Sequence, residues 1–302
     1  DQNTFLLEPV SAENLVNNRN SRNFWCNVKG IGSWSLTGNA AEALSKKFTE
    51  MQDDSEVTAG FMWQKTTRES KKYQLRGEIL SFIPVEKNVE VMLVTITNTG
   101  RMAQTVTPTA AIPLYGRSAD NIRDHRHVTS LLHRIETTDI GVLVTPTLSF
   151  DERGHQVNHM TYYCVGWSGN GEKPVDFYPT AEDFVGEGGN FERPYAIVKN
   201  AEGVKAGTRI EGLEAVGGLH FSEVTLEPEE ECSYLIFTGI TEDIQEIRNL
   251  SKTYTTREMV LEELEKTKAY WQEKVNVAYH TGHSDFNQFM HWVSFQPILR
   301  RI

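Results

Sequence analysis

Along most of this chain apolar residues recur at every second position; near its end they recur at every third or fourth. Between Lys72 and Pro84, Tyr73, Leu75 and Ile79 share one face and Gln74, Arg76 and Glu78 the other, the alternation of a half-buried strand. Asn88–Asn98 is apolar on both faces, with Val89, Val91 and Leu93 on one and Met92, Val94 and Ile96 on the other. That pattern predicts a strand covered on both sides. Val85, Glu86 and Lys87 join the two runs as a polar turn of hairpin length, and Asn98-Thr99-Gly100 marks the next turn. Thr105–Leu114, Ile140–Thr147, Asn158–Trp167, Leu213–Leu226 and Glu231–Ile240 read as further strands. Ser168–Arg193, rich in Gly, Asp and Glu, reads as a long loop. Many strands punctuated by Gly, Asn and Pro predict one sandwich or barrel over roughly residues 1–250.

The period changes near Thr241, where helices take over. Thr255 and Glu258 have the spacing of a capping box, with Thr255 as the cap. Behind it Val260, Leu264, Trp271 and Val275 fall on one helical stripe, and Glu262, Glu265 and Lys268 face away. Ser284 and Asp285 can cap a second helix carrying Phe286, Phe289, Met290 and Val293, which Pro297 is expected to kink or interrupt. Trp292, Phe295, Ile298, Leu299 and Ile302 leave the last helix apolar to its end. Such a surface calls for a cover. Together with the missing initiator Met, it predicts a piece of a longer protein, with the last helix packed on something that follows it.

Composition narrows the class. The 302 residues are 39% hydrophobic and 24% charged, enough for a packed core. With 30 Lys+Arg against 41 Asp+Glu the net charge is -11, which argues against a nucleic-acid partner. No apolar run approaches a membrane span, and no signal-peptide core opens the chain. Cys26, Cys164 and Cys232 are few and widely spaced, as in a cytoplasmic protein with reduced, buried thiols.

The usual catalytic signatures are weak. His155 and His159 are four apart, but in a strand-like segment that does not put them on one helical face, so no metal is expected. Cys164 sits in an apolar strand and reads as a structural thiol. Neither Gly186–Gly189 nor Gly30–Gly32 continues into a phosphate loop. The pairs Asp151-Glu152 and Glu182-Asp183 are adjacent only in sequence and read as solvent-facing. His220, in a predicted strand, is either a core histidine or one member of an acid–base pair.

Tyr115–Ile135 stands apart, for it gathers Arg117, Arg123, Arg126, Arg134, His125, His127 and His133 in an acidic chain. These side chains are either a salt-bridged surface, pairing with Asp120, Asp124 and Glu136, or a set of donors turned toward an anion or a sugar. Trp25, Trp34, Trp63 and Trp167 supply rings on which sugar faces stack.

The Tyr115–Ile135 stretch resembles a segment of the glycoside phosphorylases of glycoside hydrolase family 94, the cellobiose-phosphorylase-like enzymes. So do Arg22–Gly38, Asp176–Thr180 and Gly188–Phe191. The likeness runs along nearly the whole chain and is nearest to the 1,2-β-oligoglucan phosphorylases. It implies a mainly β fold, a large antiparallel β-supersandwich over residues 1–250, followed by an α-helical linker over 251–302 to an (α/α)6 catalytic barrel absent from this chain. It implies inverting phosphorolysis of β-glucosidic bonds, with one aspartate as general acid and inorganic phosphate as nucleophile and co-substrate. That aspartate and the phosphate-binding residues belong to the barrel, so this chain alone is expected to be inactive and to hold no catalytic residue, cofactor or metal. The family forms homodimers, which makes Arg123, His125, Arg126 and His127 candidates for a dimer contact or the rim of the substrate entrance. Two other readings are a stand-alone carbohydrate-binding module and a mutarotase-like enzyme on the same sandwich.

Overall fold

The alternating segments find antiparallel partners and build two large sheets. The structure, a computed structural model, describes residues 4–7, 22–118, 130–151 and 154–299. The larger sheet has nine strands, in the order β16 (Arg209–Glu211), β10 (Arg134–Thr137), β11 (Gly141–Val144), β14 (Thr161–Ser168), β19 (Glu231–Thr241), β7 (Val89–Asn98), β6 (Leu75–Phe82), β5 (Trp63–Ser70) and β4 (Asp54–Gly60). The smaller sheet runs β15 (Asp176–Thr180), β17 (Ala215–His220), β8 (Gln104–Leu114), β2 (Asn23–Val28) and β3 (Gly32–Ser35), with β18 (Val224–Leu226) also paired to β8. Two ribbons complete the β structure: β1 (Thr4–Phe5) with β9 (Arg117–Ser118), and β12 (Leu148–Asp151) with β13 (Gly154–Val157). The expected mainly β sandwich is present.

The two sheets pack face to face. Phe24, Cys26, Val106, Ile112 and Leu219 from the small sheet meet Leu75, Val94, Ile96, Tyr162, Cys164 and Ile236 from the large one. The sheets come close at Gly217, where an added Cβ would lie 2.2 Å from Cys164 Cβ; only a residue without a side chain fits there. β7 divides its apolar residues as its pattern predicts: Met92, Val94 and Ile96 enter this core, and Val89, Val91 and Leu93 enter a second one on the far face of the sheet.

Helices form that second core. α4 (Ile244–Thr253) and α5 (Arg257–Lys274) lay Ile247, Val260 and Leu264 on Val91, Leu93, Trp167 and Phe237. Phe237 stacks between Trp167, with ring centroids 4.8 Å apart, and Tyr254, at 5.3 Å. Trp167 Nε1 donates to the Tyr254 carbonyl at 2.9 Å, so the indole is satisfied as well as buried. Lys87, from the β6–β7 turn, reaches Glu263 at 3.1 Å and ties that turn to α5. On the outer face of the small sheet, α2 (Ala181–Val185) and α3 (Tyr195–Lys199) cover Trp25, Ala111 and Tyr178. A one-turn α1 (Ala41–Ser45) borders the same cluster, and α6 (Ser284–Leu299) closes the order.

Three expectations need correction. Ser168–Arg193 is not a loop throughout, because it contains β15 and α2. The cap of α5 is Thr256, whose hydroxyl accepts from the Met259 amide, so the Thr255–Glu258 box does not form. α6 runs through Pro297 to Leu299, placing the proline in the last turn, where it sacrifices a single backbone bond. Among the described residues no helix is long and apolar enough to cross a membrane.

Candidate functional site

Arg123, His125, Arg126 and His127 lie outside the described residues. Their flanks are well defined. On one side the Tyr115 amide donates to the Leu6 carbonyl at 2.7 Å, and the Tyr115 side chain is buried. On the other, Ser130 and His133 are buried, and His133 Nδ1 lies 3.1 Å from the Leu213 carbonyl. Arg134 donates to the carbonyls of His133 at 2.9 Å and Leu131 at 3.2 Å, and pairs with Glu211 at 3.4 Å. Glu136, which the salt-bridge reading assigned to this stretch, pairs instead with Arg209 at 3.4 Å. His133 and Arg134 therefore act as anchors of the chain at the start of β10.

The strongest polar constellation lies on the outer face of the small sheet. β15 and β17 pair so that Asp176 stands directly across from His220. His220 Nδ1 is 2.7 Å from Asp176 Oδ1, and the two side chains are 9% and 4% exposed. Tyr178 Oη sits 3.4 Å from the same ring nitrogen and donates to the Ala201 carbonyl. Lys205 approaches Asp176 Oδ2 from the solvent side at 3.8 Å. With Nδ1–H given to the carboxylate, a neutral His220 presents Nε2 as an acceptor. That atom is buried with no partner, as is Trp25 Nε1 on the other side of Thr109. The geometry is that of an oriented histidine, but a sugar hydroxyl has no path to it. Its evident work is to hold residues 201–205 to the sheet edge, alongside the reciprocal backbone bonds of Phe177 and Val204 at 2.9 Å. The sequence singled out His220 but not its partner, because the two are far apart in the chain and meet only through strand register.

A cleft of 740 Å³ opens where the first turn of α5 meets β19, lined by Ser168, Phe221, Tyr234, Thr256 and Arg257. Its floor is acidic, with Glu172, Glu223, Glu230, Glu231 and Glu258. Both cations are engaged, Lys173 with Asp139 and Arg257 with Glu231. A phosphate would be repelled here, despite the helix N-terminus.

The thiols are inert by environment. Burial pushes Cys26 and Cys164 far above the ordinary range. Burial also raises Cys232, to about 11, although a hydrogen bond with Tyr234 partly opposes it. His155 lies on the exposed strand β13 and His159 beyond its end. Among the described residues no three His, Cys, Asp or Glu side chains gather as metal ligands would.

Comparison with known proteins gives one decisive match. The family described as "Glycosyl hydrolase 94, supersandwich domain" matches residues 13–257. No curated protein matches the chain. Among solved structures, a bacterial glucoamylase complexed with acarbose is similar at TM-score 0.47 and 9% identity, over 85% of this chain and 32% of that one. A polysaccharide lyase is similar at TM-score 0.40 and 10% identity, over 81% of this chain and 29% of that one. The chain thus spans about a third of the length of either structure.

Proposed function

The chain belongs to the glycosyl hydrolase 94 family through its supersandwich domain, and from that membership we propose that it is the N-terminal part of an inverting glycoside phosphorylase. Its substrates are the β-glucosidic bonds of oligoglucans, the 1,2-β-linked ones first. In the reaction a phosphate oxygen bonds to the anomeric carbon as the glycosidic C–O bond breaks. The leaving oxygen takes a proton from an aspartic acid, and α-glucose 1-phosphate forms. One enzymic carboxyl group suffices, since phosphate replaces the activated water of an inverting hydrolase. The aspartate and the phosphate site belong to a barrel following residue 302, so the chain alone does not turn over. No cofactor is needed. The protein is a cytoplasmic homodimer, and its sandwich supports the barrel.

The observation that carries this reading is the family match over 13–257, which contains the Tyr115–Ile135 stretch. Two features of the site support it. The acid–base pair Asp176–His220 is closed to a sugar, which speaks against a mutarotase, and the acidic 740 Å³ cleft repels phosphate. Arg123, His125, Arg126 and His127 are assigned to the substrate rim or dimer contact.

The test uses the full-length protein. Incubated with a 1,2-β-glucooligosaccharide and phosphate, it should release α-glucose 1-phosphate in proportion to phosphate. Release of free glucose at a phosphate-independent rate would make it a hydrolase and overturn the reading. Arg123→Ala with Arg126→Ala should raise a Michaelis constant or weaken the dimer. If both stay unchanged, the rim assignment is wrong.

A further inference from the structure

A line of side chains crosses the outer face of the small sheet, and two of its buried nitrogens are bonded to no protein atom. Residues paired directly across a ladder stand on the same face. Asp176 faces His220, His220 faces Thr109, and Thr109 faces Trp25, so the four form one row over β15, β17, β8 and β2. This is the covered outer face. Trp25 shares a cluster with Ala111, Tyr178 and Ile197, whereas Phe24, Cys26 and Ala110 belong to the core between the sheets. Trp25, Thr109 and His220 are 1%, 2% and 7% exposed. The two nitrogens are His220 Nε2 and Trp25 Nε1. Asn23, two residues from Trp25 and on the same strand face, adds a third such atom. Its Oδ1 accepts from the hydroxyls of Ser35 and Thr37 at 2.9 Å each, and its Nδ2 has no protein partner.

Buried polar groups are nearly always hydrogen-bonded, so three such atoms on one face call for a shared partner. Their chemistry selects it. His220 Nδ1 lies 2.7 Å from Asp176 Oδ1, which makes Nε2 of the neutral ring an acceptor. The two nitrogens of an imidazole diverge, so Nε2 is turned away from β15. Trp25 Nε1–H and Asn23 Nδ2–H are donors, and the Thr109 hydroxyl is both donor and acceptor. A small neutral molecule that donates to one nitrogen while accepting from another is water. An anion needs donors alone and is repelled by the Asp176 carboxylate, and a cation would meet two N–H groups. The spacing agrees. Neighbouring strands lie about 4.8 Å apart, so the His220 and Trp25 backbones stand about 10 Å apart with Thr109 between them. Two hydrogen bonds through one oxygen span about 5 Å, and the two rings cover the rest above the short threonine.

We propose that ordered water is built into this face, accepting from Trp25 Nε1 and donating to His220 Nε2 above Thr109. It completes a hydrogen-bonded line from Asp176 through His220 and the water to Trp25, across four strands and beneath α2 and α3. Buried waters of this kind make about three hydrogen bonds and are costly to remove. His220 then ties in two directions, to the sheet edge through Nδ1 and to β2 through Nε2. The inference needs nothing from the family match or from any residue beyond 302, because every member of the row is buried within this chain.

The test is a crystal structure of the full-length protein at a resolution that shows waters, with a bromide-soaked crystal beside it. An oxygen within about 3.2 Å of both His220 Nε2 and Trp25 Nε1 is expected in every copy. A dry site, or rings turned so that both nitrogens bond to protein, would overturn the proposal. An anomalous bromide peak there would overturn it in favour of an anion. Thermal unfolding gives a second reading. Thr109→Val keeps the shape and removes the hydroxyl, Trp25→Phe removes the donor, and each should lower the melting temperature of the sandwich by about 2–4 °C or more. Combined, the two losses should be less than additive, because one water is displaced only once. Strict additivity, or a Thr109→Val protein as stable as its parent, would show that these residues share no ligand. If Trp25→Phe does not fold, the crystal and Thr109→Val still decide.

Discussion

Truncating Asp176 should show what the Asp176–His220 pair is for. Asp176→Ala removes the acceptor of a 2.7 Å charge-assisted bond and leaves the buried imidazole with no protein partner at Nε2 and with Nδ1 held only by the 3.4 Å contact with Tyr178 Oη. Breaking a buried pair by removing one member costs about 3–5 kcal/mol, and orphaning a buried donor about 1–3. The lower part of the first range applies. Lys205 stands 3.8 Å from the carboxylate with its own side chain 72% exposed, so one side of the pair is screened by water. A loss of about 3 kcal/mol is therefore expected. Asp176→Asn keeps an oxygen that accepts from Nδ1–H and should lose only about 1 kcal/mol.

The assay is urea unfolding at pH 7 with linear extrapolation, and a common slope shows that the unfolded states are comparable. A cycle with His220→Phe isolates the pairwise part, which should exceed about 1 kcal/mol for groups in direct contact. If Asp176→Ala and Asp176→Asn were equally stable, or the cycle returned no coupling, the hydrogen bond would not be what holds residues 201–205 to β15. The same variants bear on chemistry. Neither parent nor variant should hasten the interconversion of glucose anomers, and an acceleration lost in Asp176→Asn would mean that the pair does reach a sugar.

Gly217→Ala should cost about 1–3 kcal/mol and lower Tm, because the new methyl meets Cys164 Cβ at 2.2 Å and Sγ at 2.7 Å where the sheets touch; a change under about 0.5 kcal/mol would show slack between them. Burial of Glu42 opposes its charge, but hydrogen bonds from Lys46, Lys72 and Tyr73 outweigh that and hold its carboxyl at about 2. Its contribution to stability is then complete above the unfolded value near ~4.3 and fades as pH falls toward the folded one. The stability gap between parent and Glu42→Gln should accordingly be constant from pH 7 to 5 and close on further acidification; a gap that widens there would reverse the assignment. At pH 8 a disulfide reagent should modify Cys232 slowly and Cys26 and Cys164 only on unfolding, and fast labelling of Cys164 would contradict its burial.

Periodicity reveals which residues share a face, and it served best where both faces are apolar. Val89–Ile96 is a central strand in pattern and in fact, with one set of side chains in each core. Proline misled where it marks an edge or a gap. Pro179 hid β15 inside an apparent loop, yet β15 is the edge of its sheet and shifts register between Tyr178 and Thr180. Pro108 and Pro113 are tolerated in β8 for a related reason. The first falls between the segments that pair with β18 and β17, and the second lies past the end of the pairing with β2. The cap of α5 was displaced by one residue because Thr255 and Thr256 are chemically alike, and only backbone geometry chooses between them.

Sites are legible to the extent that their residues are neighbours along the chain. The arginine–histidine stretch is conspicuous for that reason alone, and two of its members, His133 and Arg134, prove to be anchors. The buried pair Asp176 and His220 needs the register of two strands before it exists at all. On α5 and α6 the spacings Lys268–Gln272 and Gln288–Trp292 can be counted in the sequence, whereas the packing of Phe61 that brings the two helical faces together cannot. Charge clustering is thus a statement about composition, and it weighs least here. Strand register is a statement about packing, and in this chain it brings together Asp176 and His220, a pairing that no count of charges marks.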